Sequence, residues 1–182
     1  MSDEKDFKEI IEGFVYDFPV CEFSYLKPDD LIFTERVRYI CEHDCPHYNK
    51  SWACPPAIDE IDRCIGACKS FTHVFLVTSV AEVPDCMNFA ACLEAKRDHE
   101  QMTLSLRKRF EENFGKVLAL STGCMLCNQC AYPDAPCRHP EDRLSTIESH
   151  GILIMETASR AGITCDCGNN AVTYFSLIFF NA

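Results

Sequence analysis

Two short apolar runs, HVFLVTSV at 73–80 and KVLALST at 116–122, decide how this chain folds. Each is brief, apolar and rich in β-branched residues, which is the composition of a buried strand. Between them, residues 87–114 carry Ala91, Ala95, Met102, Leu106, Phe110 and Phe114 as an apolar stripe at helical spacing, and Gly115 stops the helix. Strand, long helix, strand predicts a right-handed crossover that joins two parallel strands.

Working outward, residues 4–14 read as a short helix with Phe7, Ile10, Ile11 and Phe14 on one face. Pro28-Asp29-Asp30 marks a turn, and helix potential around 30–40 leads into Cys41. Pro46 to Pro56 is loop-like, and Asp59 to Ser70 is helical. Ser145 and Glu148 have the spacing of a capping box, so a helix is expected to begin there, and Gly151 and Gly162 bracket another at 152–161. The end of the chain, ITCDC, GNN, then AVTYFSLIFF, predicts a C-terminal β-hairpin with a long apolar final strand. The expectation is an α+β fold, one domain over residues 1–182, with a mixed β-sheet, helices packed on it and cysteine-rich metal-binding loops.

Composition narrows the function. With 182 residues, 47% apolar and 25% charged, the chain can bury a substantial core. No stretch approaches the roughly 20 apolar residues of a membrane span. The start, MSDEKDFKEIIEGF, has neither the basic flank nor the apolar core of a secretory signal, so a cytoplasmic location is expected. A net charge of −11 argues against a nucleic-acid binder, which needs a basic surface to displace counterions, and suggests docking to a partner with a basic face.

Fourteen cysteines are the abnormal feature. In a reducing compartment they point to metal or redox chemistry before disulfides. Cys124, Cys127 and Cys130 form C-x2-C-x2-C, and Cys137 follows in CMLCNQCAYPDAPCRHP. A loop with ligands three apart can wrap a cubane cluster and turn successive thiolates inward, as in the bacterial ferredoxin run. Zinc sites more often use two C-x2-C arms and a long spacer, yet Cys137 or His139 could complete one here. Packing is a poor account of a stretch that, between Cys124 and Cys137, holds Asn128, Gln129, Asp134 and two prolines.

Far upstream, CEHDCPHYNKSWACPP places Cys41, Cys45 and Cys54 at C-x3-C-x8-C, with Pro55 after Cys54. Either these three hold their own cluster, with one iron open, or Cys54 completes the downstream one. His43 and His47 flank the group as possible ligands, although solvated histidines are the plainer reading. Trp52 would shield the site or pack. Cys64 and Cys68, at i and i+4 on one helix face, fit packing or an added ligand. Cys86 and Cys92 fit packing. Cys165 and Cys167 would point to opposite faces of a strand, and Cys21 has no partner in sequence. Arg138 and His139, beside Cys137, could hydrogen-bond sulfur or pass protons. There is no phosphate-binding glycine loop, nucleophile elbow or HExxH.

With these motifs in hand, the chain resembles a domain-of-unknown-function family described as predicted metal-binding proteins, cysteine-rich and found in anaerobic bacteria and archaea. The resemblance rests on CEHDCPHYNKSWACPP and CMLCNQCAYPDAPCRHP, supported by ESHGI and VTYFSLIFF, and covers roughly residues 35–180. It implies that Cys41, Cys45, Cys54, Cys124, Cys127, Cys130 and Cys137 are the family's cysteines, and it supplies no reaction. The expected function is an iron–sulfur protein with one or two [4Fe–4S] clusters, working in electron transfer or redox support. The alternatives are a zinc-stabilised adaptor module and an enzyme with an incompletely ligated cluster.

Overall fold

A computed structural model describes residues 3–182, with side chains from Phe7 onward. Its elements run α1 (Asp3–Val15), β1 (Phe23–Leu26), α2 (Glu35–His43), α3 (Ile61–Lys69), β2 (His73–Glu82), α4 (Phe89–Phe114), β3 (Leu118–Ser121), β4 (Ser145–Thr146), α5 (Ile154–Arg160) and β5 (Ala171–Phe180). Single 3-10 turns lie at Pro28–Asp30 and Glu148–His150. The fold is α+β, as expected.

The strands form one mixed sheet in the order β1-β2-β5-β3-β4. β5 pairs antiparallel with both β2 and β3, so β2 and β3 run parallel to each other with β5 between them. The crossover therefore exists, but its two strands are not neighbours. Helices cover both faces. Phe75, Val77, Ile178 and Phe180 pack toward Phe7, Ile11 and Phe14 of α1 and Leu106 and Phe110 of α4. Val74, Leu76, Leu177 and Phe179 pack the other way, against Cys68 of α3, Phe71, and Ile154 and Ala158 of α5. A strand buried on both faces has no solvated side to spell with polar residues, which is why β2 and β5 read as mainly apolar runs.

Two expectations fail. No hairpin forms at the C-terminus, because residues 163–167 are not a strand. β5 spends its whole length on β2, from His73↔Phe180 to Glu82↔Ala171, and the preceding segment is held otherwise, with Thr164 N donating to Glu22 Oε2 at 2.9 Å. No helix begins at Ser145 either. Ser145 and Thr146 are drawn into parallel pairing with Leu120 and Ser121. Ser149 then closes a tight turn, its N–H donating to Thr146 Oγ1 at 3.1 Å and its Oγ to the Thr146 carbonyl at 2.7 Å. A capping box needs the Ser and Glu backbones in one helix, and here the first belongs to a strand. Elsewhere local signals hold. Thr34 caps α2, Asn88 caps α4 by accepting from Ala91 N, and Gly115 ends α4 at φ 74°.

A polar seam runs through the interface between α4 and the sheet. His99 is 1% exposed, with Nδ1 2.7 Å from Ser79 Oγ and Nε2 2.8 Å from Ser176 Oγ. Ser176 Oγ donates to Ser121 Oγ at 2.8 Å, and Ser121 Oγ donates to Glu100 Oε1 at 2.5 Å. His99, Ser121 and Ser176 all have hydrogen-bond partners, as burial requires.

This seam makes stability pH-dependent. Burial pushes the His99 imidazole down to about 4. The unfolded chain takes up that proton near pH 6.5, the folded chain only near 4, so the stability held by neutral His99 is full above about 6.5 and is lost as pH falls toward 4. His150 acts the same way, whereas burial raises Glu100 and Glu148, which act with the opposite sign. In urea unfolding, His99→Gln should therefore flatten the loss of stability between about pH 6.5 and pH 4 relative to the parent chain. Identical slopes would show that His99 does not carry the effect.

Candidate metal centre

The cysteine run starts immediately after β3, beyond the C-terminal edge of the sheet. Glu100 fixes that exit. Its Oε1 accepts from Ser121 Oγ, from Thr122 N at 3.1 Å and from Thr122 Oγ1 at 2.9 Å. Gly123 follows at φ 123°, where a Cβ would lie 3.3 Å from Thr146 Cγ2 and 3.5 Å from Lys96 Nζ. Only glycine takes that backbone freely. The chain therefore turns sharply off the sheet just before Cys124.

The upstream cysteines arrive on α2 and the loop that follows it. Arg38, only 5% exposed, ties α2 in place. It donates from Nη1 to the Ser149 carbonyl at 2.7 Å and from Nη2 to the Asp59 carbonyl at 3.2 Å, and it pairs with Glu42. The two loops then grip each other. Trp52 Nε1 donates to the Ala135 carbonyl at 3.0 Å, Trp52 N donates to Cys130 Sγ at 3.4 Å, and Tyr132 OH donates to Asn49 Oδ1 at 3.2 Å. The Trp52 and Tyr132 rings meet edge to face at 4.8 Å.

The result is a cavity of about 720 Å³, bordered by Cys41, Cys45, Cys54, Cys124, Cys127, Cys130 and Cys137. The seven cysteines singled out from two distant motifs thus share one site. Their thiols surround the space without meeting at a point. Among the described residues, no three Cys, His, Asp or Glu side chains form a ready-made site for a single metal ion.

The remaining expectations divide. His47, Trp52, Arg138 and His139 border the cavity. Arg138 donates to the Gln129 carbonyl at 3.0 Å, bracing the cysteine loop and not pairing with a carboxylate. His43 stands apart, exposed and stacked on Tyr39 at 3.8 Å. Cys64 and Cys68 are core residues, Cys64 Sγ lying 3.3 Å from the Asp59 carbonyl. Cys86 and Cys92 lie before and within the first turn of α4, Cys92 Sγ donating to the Cys86 carbonyl at 3.4 Å. Cys165 packs beside Ile163 and Cys167 is exposed. They occupy a loop, so the expected alternation on a strand does not arise. Cys21 is exposed beside β2, its N–H donating to the Thr78 carbonyl, and what burial its thiol has raises it, with the charges of Glu22 and Cys167 adding.

The sequence reading missed Lys50, Lys96, Arg97, Arg143 and Glu148, all on the cavity wall. Lys96 acts on several titratable groups at once. Its ammonium lies near enough to Cys54, Glu100 and Glu148 to ease proton loss from each. In sequence it is one more charge on a long helix, and no local pattern separates it from a solvated lysine.

The thiols differ in proton affinity. Burial pushes Cys41 up to about 11, helped by the charges of Glu148, Cys45 and Cys54. Burial also pushes Cys54 up to about 11, with Cys45 adding to it and Lys96 opposing. At Cys130 slight burial works upward, but the N–H groups of Tyr132 and Trp52, the Ser51 hydroxyl and the Ala131 N–H together bring the thiol below its ordinary value.

This centre defines the class: an α+β protein with a thiol-walled cavity of metal-binding character. The chain belongs to the family described as Predicted metal-binding protein (DUF2284), whose model matches residues 24–180. The match takes in the whole sheet apart from Phe23 and both cysteine motifs. Comparison with curated proteins and with solved structures finds no match.

In metal-free reduced protein near neutral pH, Cys130 should react with iodoacetamide before Cys41 and Cys54. A thiol raised by two units holds roughly a hundredth of the thiolate of an unshifted one. Mass spectrometry of partially alkylated protein reads the order. Labelling of Cys41 or Cys54 ahead of Cys130 would contradict the electrostatic picture.

Proposed function

We propose that the chain is an iron–sulfur protein that holds one or two [4Fe–4S] clusters in the thiol-walled cavity and serves electron transfer or redox support in anaerobic metabolism. The observation that carries this reading is the gathering of all seven motif cysteines around one space. The donor set fits. Iron–sulfur clusters are held by cysteine thiolates, and hydrogen bonds to the sulfurs help to set their potentials. When bound, such a cluster supplies one-electron transfer.

The residues of the chain do the rest. Cys124, Cys127 and Cys130 are the first ligands proposed, then Cys137 and Cys54, then Cys41 and Cys45. Trp52 donates its backbone N–H to Cys130 Sγ and, with Tyr132, packs between the two loops. Arg138 and Glu100 hold the two ends of the cysteine loop. Cys54 sits between the groups, close enough to feel the charges of both Cys45 and Cys124. That position suits it to complete the downstream set.

The cavity also bears on the partner. The net charge of −11 suggested a partner with a basic face. The wall around the thiols has the opposite local sign, with Lys50, Lys96, Arg97, Arg138 and Arg143 against Glu148 alone. A redox partner that approaches through this opening would present acidic groups.

A second reading is a zinc-stabilised interaction module, favoured by His47 and His139 on the same cavity wall, since imidazole and thiolate together suit zinc. An enzyme with an incompletely ligated cluster is a third, resting on the upstream set having three cysteines.

Anaerobically purified protein should be brown and contain iron and acid-labile sulfide. Colourless protein with stoichiometric zinc and no sulfide would replace the first reading with the second. If Cys54 completes the downstream cluster, Cys54→Ala should lose about as much iron as Cys127→Ala, and Cys41→Ala should lose little. Matched loss in Cys41→Ala and Cys54→Ala, with the second cluster spared, would assign Cys54 to the upstream group.

A further inference from the structure

We propose that the cationic wall of the cavity is a binding site for a small multivalent anion, an oxyanion or a dicarboxylate, seated beside the metal. The chain carries 28 acidic and 17 basic Lys and Arg residues, so a random lining would be mostly acidic. The cavity instead collects Lys50, Lys96, Arg97, Arg138 and Arg143, with Glu148 as its one carboxylate. They come from three separate parts of the fold: the upstream loop, α4, and the segment between Cys137 and β4. A solvated helix face would not gather charges from all three.

None of the five stands in an ion pair. The ion pairs among the described residues use Arg38, Arg63, Arg107, Lys108, Arg109 and Arg160, and none of the cavity cations. Lys96 and Arg143 are half-buried, so their charge is less screened than that of a surface lysine. Lys96 acts on Cys54 through its charge, but none of the five hydrogen-bonds the sulfurs of Cys54, Cys124 or Cys130. The groups that hydrogen-bond Cys54, Cys124 and Cys130 are backbone N–H groups and the Ser51 hydroxyl. The donors of Lys96 and Arg143, and the guanidinium N–H groups that Arg138 does not give to Gln129, remain for another acceptor.

The size also suits. Small-molecule sites occupy roughly 300–1,000 Å³, and this cavity of about 720 Å³, which the anion would share with the metal, lies within that range. Guanidinium forks and an ammonium from different directions match an anion with several oxygens better than a monovalent one. The proposal deepens the metal-centre reading by naming the ligand class, and it holds for iron or zinc alike.

Titration calorimetry on the anaerobically prepared, metal-loaded chain tests it, with inorganic phosphate and succinate as probes and chloride as the monovalent control. One or both should bind, and the preferred probe separates the oxyanion from the dicarboxylate. Lys96→Gln and Arg143→Gln should each weaken that binding about tenfold or more, the loss of one charge-assisted hydrogen bond. Lys116→Gln, away from the cavity, should leave it unchanged. If both probes bind no better than chloride, or if Arg143→Gln keeps its metal and its full affinity, the proposal is overturned. Metal content measured on the same samples keeps the two questions apart, because zinc in place of iron would correct the cluster assignment and leave the anion result standing.

Discussion

The last strand of the chain is the constraint on which the rest depends. β5 enters between β2 and β3 and pairs with both. Until it arrives, the crossover built by β2, α4 and β3 has a gap where its sheet should be continuous. These pairings join residues between 57 positions apart, at Leu120↔Leu177, and 107 positions apart, at His73↔Phe180, so the sheet closes only when β5 is in place. Phe179 and Phe180 are fully buried on opposite faces, and the two cores meet through this strand. The position of β3, and with it the point where the cysteine loop leaves the sheet, is set by the same insertion.

The cysteine-lined cavity is built by a short series of polar ties on that frame. Glu100 holds Ser121 and Thr122, and Gly123 turns the chain. Arg38 spans Ser149 and Asp59 and so docks α2 with Cys41. Trp52 and Tyr132 lock the upstream loop on the downstream one. Buried polar groups such as Glu100, His99 and Arg38 are costly unless fully partnered. Here each is partnered, and each bond sets the angle of an element that delivers thiols. Stability and site geometry thus rest on the same hydrogen bonds.

The charge pattern separates the cavity from the rest of the surface. The chain as a whole repels anions, while the cavity wall concentrates cations around the thiols. Such a wall lowers the cost of gathering thiolates in one place, and Lys96 acts in that direction on Cys54. It also gives the opening a sign that a partner or ligand must match. Membership of a family of predicted metal-binding proteins agrees with a cavity walled by thiols.

The sequence by itself determined the parts that local chemistry dictates. The runs at 73–80 and 116–122 form strands, α1 and α4 carry the expected apolar stripes, and the cysteine spacings pick out the seven cysteines that line the cavity. Periodicity and ligand spacing are short-range properties, so they can be read along the chain. The placement of β5 between β2 and β3, the pairing that turns Ser145 and Thr146 into a strand, and the loop at Cys165 and Cys167 were decided by contacts between distant segments. So was the recruitment of Lys96, Arg143 and Glu148 to the cavity wall. A lysine on a helix or a glutamate three residues after a serine looks the same in sequence whether it faces water or a metal centre. Only the folded chain brings those charges to the thiols, because burial and field depend on neighbours in space and not on neighbours in sequence.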